Sequence, residues 1–337
     1  MRFAIGSAIA ALAVARVFAQ PTPPISHEYA NVNGQRLHYA RAGSGPLIVF
    51  LHGFPEFWYE WKHQIAEFSR DHAVVAPDMR GYNLSSKPAE LSAYQVPNLV
   101  EDVRALASDL MKSTGGTKFT LVAHDWGGVV AWVFAALHPE MLDKLVIVNA
   151  PHPTIFGQLL RDDPAQQKAS GYMLMFRAPE AEATLSANSY EMLTSAVLGD
   201  GIKNGTVTEA DKKAYVEAWS QPGALTGGLN YYRSAGIGPP RAAAQTAATT
   251  TEAATTAAEA PEASAASQLP PLIVRVPTLV IWGEKDTALL TGNLERLDEV
   301  VPTLTVRRIP DGTHWVVREN AAEVNRLIRE FLGQKQP

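Results

Sequence analysis

The stretch Phe119-Thr120-Leu121-Val122-Ala123-His124-Asp125-Trp126-Gly127-Gly128 decides how this chain is read. An apolar run leads into Asp125, two glycines follow Trp126, and a second apolar run extends from Val129 to Leu137. A buried strand, a sharp turn with small residues and then a helix make a nucleophile elbow. In the common G-x-S-x-G elbow the central residue is serine; here it is aspartate. A serine that attacks saturated carbon forms an ether, which is a dead end. An aspartate forms an alkyl ester, and water can then attack the aspartate's own carbonyl carbon. Asp125 therefore points to displacement at saturated carbon, as in epoxides and alkyl halides, through covalent catalysis. The plainer alternative is a strand-end aspartate capping the next helix. The flanking patterns and the partners found elsewhere in the chain weigh against it.

Around the elbow, strands and helices alternate. His27 to Tyr39 alternates about Asn33-Gly34, a hairpin turn pair. Apolar strands run from Pro46 to Leu51, His72 to Asp78, Leu145 to Val148, Thr278 to Trp282 and Thr303 to Ile309. Leu99, Val103, Leu106 and Leu110 share one helix face, as do Val324, Leu327, Ile328 and Phe331. Continuous apolar strands between helices imply an α/β fold, a mostly parallel sheet covered on both faces. Sites in such sheets form at the carboxyl ends of the strands. Residues 151–241 break this rhythm and read as helices and loops, a helical cap inserted between two sheet strands. Residues 20–150 and 269–337 form the two parts of the core. Residues 242–268, mainly Ala, Thr and Glu, supply no core and read as a linker.

The 337 residues are 46% apolar and 19% charged, with a formal net charge of -5, which suits a globular chain and gives no reason to expect nucleic acid as a partner. There is no cysteine, hence neither disulfide nor thiolate metal site. Arg2 precedes an apolar run from Phe3 to Ala15, and Val17-Phe18-Ala19 resembles a small-x-small cleavage site. Residues 1–19 read as a secretory signal peptide, giving a secreted or periplasmic protein with no stable membrane partner once cleaved. An uncleaved anchor or an organelle-targeting peptide remains the alternative.

Two further strand ends complete the elbow. Gly312-Thr313-His314-Trp315 follows the last strand, and Asp286 follows the strand before it. The order nucleophile, acid, base is that of the α/β-hydrolase fold. His314 is placed to activate water and Asp286 to hold its tautomer. His52-Gly53-Phe54-Pro55 follows an early strand. The amides of Phe54 and Trp126 form a candidate oxyanion hole.

On these motifs, together with Glu56-Phe57-Trp58, Asp78-Met79-Arg80-Gly81-Tyr82-Asn83, Pro151-His152-Pro153 and Gly283-Glu284-Lys285-Asp286, the chain resembles the α/β-hydrolase-fold epoxide hydrolases from Glu28 to Leu332. The resemblance implies a vicinal diol product from a small apolar epoxide and water, with no cofactor and no metal. It also implies two cap tyrosines that donate to the epoxide oxygen. Tyr172 lies seven residues before Pro179, and Tyr232 lies in Leu229-Asn230-Tyr231-Tyr232-Arg233. His52, Gly53, Pro55, Trp58 and Trp315 are assigned to substrate binding. A haloalkane or haloacid dehalogenase shares the fold and the nucleophile. Trp126 fits the halide-binding tryptophan of a haloalkane dehalogenase, but Phe54 stands where a halide-binding asparagine is common, and a fluoroacetate dehalogenase typically has a carboxylate-binding arginine where Trp126 stands. A hydrolase scaffold used only to bind a ligand is the remaining alternative.

Overall fold

Leu47–Leu51 shows how this sequence builds its sheet. In the computed structural model, which describes residues 23–240 and 271–334, all five of these residues are buried. Leu47, Val49 and Leu51 enter one core, and Ile48 and Phe50 enter the other. A strand's side chains alternate between faces, so a wholly apolar run belongs where both faces are covered. Each such side chain contributes about 1.5–3 kcal/mol on burial.

Eight strands form one sheet: β1 (Ser26–Val32), β2 (Gln35–Ala42), β3 (Leu47–Leu51), β4 (Ala73–Pro77), β5 (Phe119–His124), β6 (Leu142–Val148), β7 (Thr278–Gly283) and β8 (Leu304–Ile309). Their spatial order is β1-β2-β4-β3-β5-β6-β7-β8. The β1–β2 hairpin is antiparallel and β2 meets β4 antiparallel, while every pairing from β4 to β8 is parallel. Helices α1 (Lys62–Phe68), α2 (Val96–Thr114) and α3 (Asp125–Leu137) follow β3, β4 and β5. On α2, Leu99, Val103, Leu106 and Leu110 pack on one face of the sheet.

Among the described residues, seven helices between β6 and β7 make the cap: α4 (Pro153–Asp162), α5 (Pro164–Ala169), α6 (Tyr172–Phe176), α7 (Ala181–Leu193), α8 (Gly199–Asn204), α9 (Glu209–Trp219) and α10 (Ala224–Ala235). The chain closes with α11 (Val316–Glu319) and α12 (Ala321–Leu332), whose Val324, Leu327 and Ile328 fill the second core. The signal-peptide reading of residues 1–19 and the linker reading of 242–268 lie outside the described residues.

Register sets the functional edge. Leu51 pairs with Ala123, while His124 and Ile281 both pair with Val148. The residues just beyond these strand ends, Phe54, Asp125, Asn149 and Asp286, therefore emerge along one line under the cap.

Candidate active site

Asp125 is the first residue of α3 and has φ of 47°, a left-handed conformation uncommon outside glycine. Such strain persists where the surroundings enforce it, and here they do. A Cβ on Gly127 would lie 2.4 Å from the Leu51 carbonyl oxygen, and one on Gly128 would lie 2.1 Å from the Ala150 Cβ. Only glycine at both positions lets α3 leave the sheet so abruptly. The Asp125 carboxylate is thereby held at the mouth of the cap, and the Phe54 amide donates to its Oδ1 at 2.8 Å. The Trp126 amide, in the first turn of α3, makes no bond to the carboxylate here.

His314 Nε2 lies 3.7 Å from Asp125 Oδ2, and His314 Nδ1 lies 2.7 Å from Asp286 Oδ2. Asp286 accepts three further bonds, from the Ala288 amide at 2.8 Å, the Leu289 amide at 2.9 Å and Asn149 Nδ2 at 2.8 Å. With no hydrogen-bonding capacity spare, its carboxylate fixes the His314 ring. Burial opposes charge on Asp286, but His314 and these donors hold it below the usual carboxylate range. Burial likewise opposes charge on His314, yet Asp286, and then Asp125, outweigh it and raise His314 to about 9.

Across the cavity stand Tyr172, on α6, and Tyr232, on α10. Gly227 lies so near Gly81 that a Cβ there would sit 2.3 Å from its carbonyl oxygen. That close approach lets α10 lay Tyr232 against Phe54 and Trp126, at ring separations of 5.5 Å and 5.1 Å. The Tyr172 and Tyr232 rings stand 6.4 Å apart, edge to face. Burial, and then the Asp125 charge, keep both phenols well above their ordinary range, so both retain their protons. The cavity between the triad and the tyrosines measures about 310 Å³. Its walls are Phe54, Met175, Phe176, Leu185, Leu193, Val197 and Trp315, with Met192 at the exposed rim. Among the described residues, none but Asp125 and His314 lines it with a charge.

A family profile described as the alpha/beta hydrolase fold matches residues 46–321. Epoxide hydrolase 4 of Mus musculus is 35% identical over 322 residues, which is 92% of this chain and 80% of that protein. The AB hydrolase superfamily protein YfhM of Bacillus subtilis is 37% identical, over 90% of this chain and 97% of that protein. Among solved structures, that of Bacillus megaterium epoxide hydrolase in complex with an inhibitor is 35% identical with a TM-score of 0.77, covering 91% of this chain and all (100%) of that one. The chain belongs to the epoxide hydrolases of the α/β-hydrolase fold.

In this epoxide hydrolase the structure brings Asp125, Asp286, His314, Tyr172, Tyr232, Phe54, Pro55 and Trp315 around one cavity or its base. Three residues assigned to substrate binding lie elsewhere. His52 is fully buried: its Nε2 accepts from the Met79 amide at 2.9 Å, so its Nδ1 carries the proton and donates to the Gly53 carbonyl at 2.8 Å. Burial holds this imidazole neutral, at about 4, and it braces two loops. Gly53 contributes room, since a Cβ there would lie 2.3 Å from that of Asp125. Trp58 turns away from the cavity; its amide donates to Asp78 and its ring packs 4.9 Å from His27 of β1.

The sequence reading missed Asn149, which has φ of 36° just past β6 and ties Asp286 to the Gly283 amide through both ends of its side-chain amide. Its position two residues before Pro151 at a strand end was the available signal. A buried cap tie was missed as well. Arg318 of α11 donates to Glu56 Oε1 at 2.5 Å and to the Val197 carbonyl, and Tyr215 of α9 donates to Glu56 Oε2. The Trp315 indole adds a bond to the Ala196 carbonyl at 3.0 Å. These partners lie more than a hundred residues apart, and no local pattern announces them.

Proposed function

We propose that the epoxide is opened by Asp125 and that the resulting ester is cleaved by water activated at His314. The observation that carries this is the opposition, across one apolar cavity, of an anionic nucleophile and two protonated phenols. Tyr172 and Tyr232 hold the epoxide oxygen and give it a proton as the Asp125 carboxylate attacks a ring carbon. At neutral pH the resting His314 is protonated beside two carboxylates. Once Asp125 is an ester its negative charge is gone, and His314 releases its proton readily. That proton replaces the one the tyrosines gave up. The neutral imidazole, oriented by Asp286, then takes a proton from water as the water oxygen attacks the Asp125 carbonyl carbon. The Phe54 amide supports the oxyanion, the ester collapses, and a vicinal diol leaves.

An uncharged, apolar epoxide fits the cavity walls: among the described lining residues the one cation, His314, is already paired with Asp286 and faces Asp125. The test is mass spectrometry of the intact enzyme after mixing with styrene oxide. Asp125→Ala forms no adduct and no diol, whereas His314→Gln accumulates the alkyl-enzyme. A His314→Gln variant that turns over at the normal rate refutes the scheme. We also propose export from the cytoplasm, on the strength of Arg2 and the apolar run behind it. Recovery of mature protein that retains Met1 would refute export by cleavage.

A further inference from the structure

Behind the triad lies a second acid that the mechanism does not use. Glu60 sits in the short helical turn Trp58–Trp61 and is 2% exposed. Its Oε1 lies 2.5 Å from Nδ1 of His124, the residue preceding the nucleophile, and its Oε2 has no partner. His124 is fully buried, its Nε2 lies 3.0 Å from the backbone carbonyl oxygen of His314, and the two imidazole rings are 4.7 Å apart. A carbonyl oxygen only accepts, so Nε2 of His124 carries a proton. In a neutral imidazole Nδ1 is then a bare acceptor. Two bare acceptors do not rest at 2.5 Å; one proton lies between Glu60 and His124. The contact does not meet hydrogen-bond geometry, and His124 Nδ1 has no other partner.

We propose that Glu60 is a positioning residue: as a neutral carboxylic acid it donates to His124, whose opposite nitrogen holds the His314 carbonyl and so aims the catalytic imidazole at Asp125. The proposal rests on the mechanism above. Burial places the shared proton on Glu60, raising it to about 8, with Asp125 adding to the rise and Arg318, His314 and the Gly53 amide opposing it. Burial also lowers His124 to about 4, with the His314 charge acting in the same direction. The charged and titratable groups facing Glu60 are Arg318, Glu56 and Tyr215 on one side and Asp125, His124 and His314 on the other. Above about 8, Glu60 gives up the donor and becomes an anion behind the site where the ester oxyanion forms. Ester hydrolysis slows for both reasons. Neither tyrosine produces a fall there, since both phenols titrate well above 10. Loss of the His314 proton favours that step.

The test compares Glu60→Gln, whose amide donates without titrating, with Glu60→Leu, which does neither. Burst and steady-state rates with styrene oxide separate ester formation from ester hydrolysis. Glu60→Gln is expected to keep near-normal hydrolysis at neutral pH and to lose the alkaline fall in kcat. Glu60→Leu is expected to slow hydrolysis about tenfold, the equivalent of one buried hydrogen bond, with ester formation little changed. A folded Glu60→Gln as slow as Glu60→Leu, or an alkaline limb that survives in Glu60→Gln, overturns the proposal. Infrared difference spectra provide a readout independent of activity. The wild type at neutral pH should show a carboxylic-acid carbonyl band that Glu60→Gln lacks, and absence of that band also overturns it. If none of the variants forms an ester burst and the wild type also forms none, it is the covalent mechanism that has failed, whatever the infrared band shows.

Discussion

The strand-edge half of this site and the cap half are built in opposite ways. Asp125, Asn149, Asp286 and His314 follow β5, β6, β7 and β8, and sheet register alone brings them together. Asp286 is bonded to Asn149, His314 and nearby backbone, and Asp125 to the Phe54 amide. Tyr172 and Tyr232 sit on two cap helices, and their positions depend on packing: Gly227 against Gly81, Tyr232 against Phe54, and Phe176 5.2 Å from Tyr172. A site with one rigid wall and one packed wall can keep its nucleophile fixed while the other wall is shaped to the substrate. The two halves also divide the chemistry. In the proposed mechanism the cap half serves ring opening, and the strand-edge half supplies the nucleophile and then clears the ester.

The largest break between them comes from the tyrosines. Tyr172→Phe and Tyr232→Phe should each slow ester formation, and the double variant should slow it about 10²–10⁴-fold, the usual worth of general acid catalysis. No alkyl-enzyme should build up, the opposite of His314→Gln, and rapid-quench mass spectrometry distinguishes the two. A double variant that accumulates ester would place the tyrosines in the wrong half-reaction. The next effect is on stability. Arg318→Met leaves Glu56 buried without its cation, and breaking a buried pair in this way costs about 3–5 kcal/mol. Burial raises Glu56 to about 6 even with Arg318 beside it. Denaturant titration should therefore show a clear loss, partly restored by adding Glu56→Gln. An unchanged midpoint would mean that the tie between α11 and the cap does not hold the two halves together.

The same contrast governs what the sequence revealed. Asp125, Asp286 and His314 were readable because each follows an apolar strand, and parallel strands align their ends. The sheet, its edge hairpin and the closing helix were readable from alternation and from helical spacing for the same local reason. Tyr172 and Tyr232 were nominated only through resemblance, because nothing local separates Tyr232 from Tyr231, whose hydroxyl donates to the Arg80 carbonyl at 2.8 Å. Trp58 and His52 lie in a motif that borders the cavity, and motif membership does not say which way a side chain turns. Asn149, Glu60 and Arg318 act through partners from distant segments, so their roles appear only once the chain is folded.

The smallest effect is a shift in one titration, and it tests how the two half-reactions are joined. The proposed mechanism needs His314 charged in the resting enzyme and neutral in the alkyl-enzyme. Asp125 is one of the anions that raise it to about 9. A neighbouring anion stabilises imidazolium and raises its pKa, so removing that anion lowers it. Asp125→Asn removes the charge and keeps the shape, as ester formation does. Its His314 should titrate lower than in the wild type, followed by NMR of the imidazole ring. The fall makes His314 a base at neutral pH only after the nucleophile has reacted, which keeps it from acting on water too early. If His314 titrates identically in both proteins, the Asp125 charge is not what sets its protonation, and the ester would remain beside an imidazolium with no base to clear it.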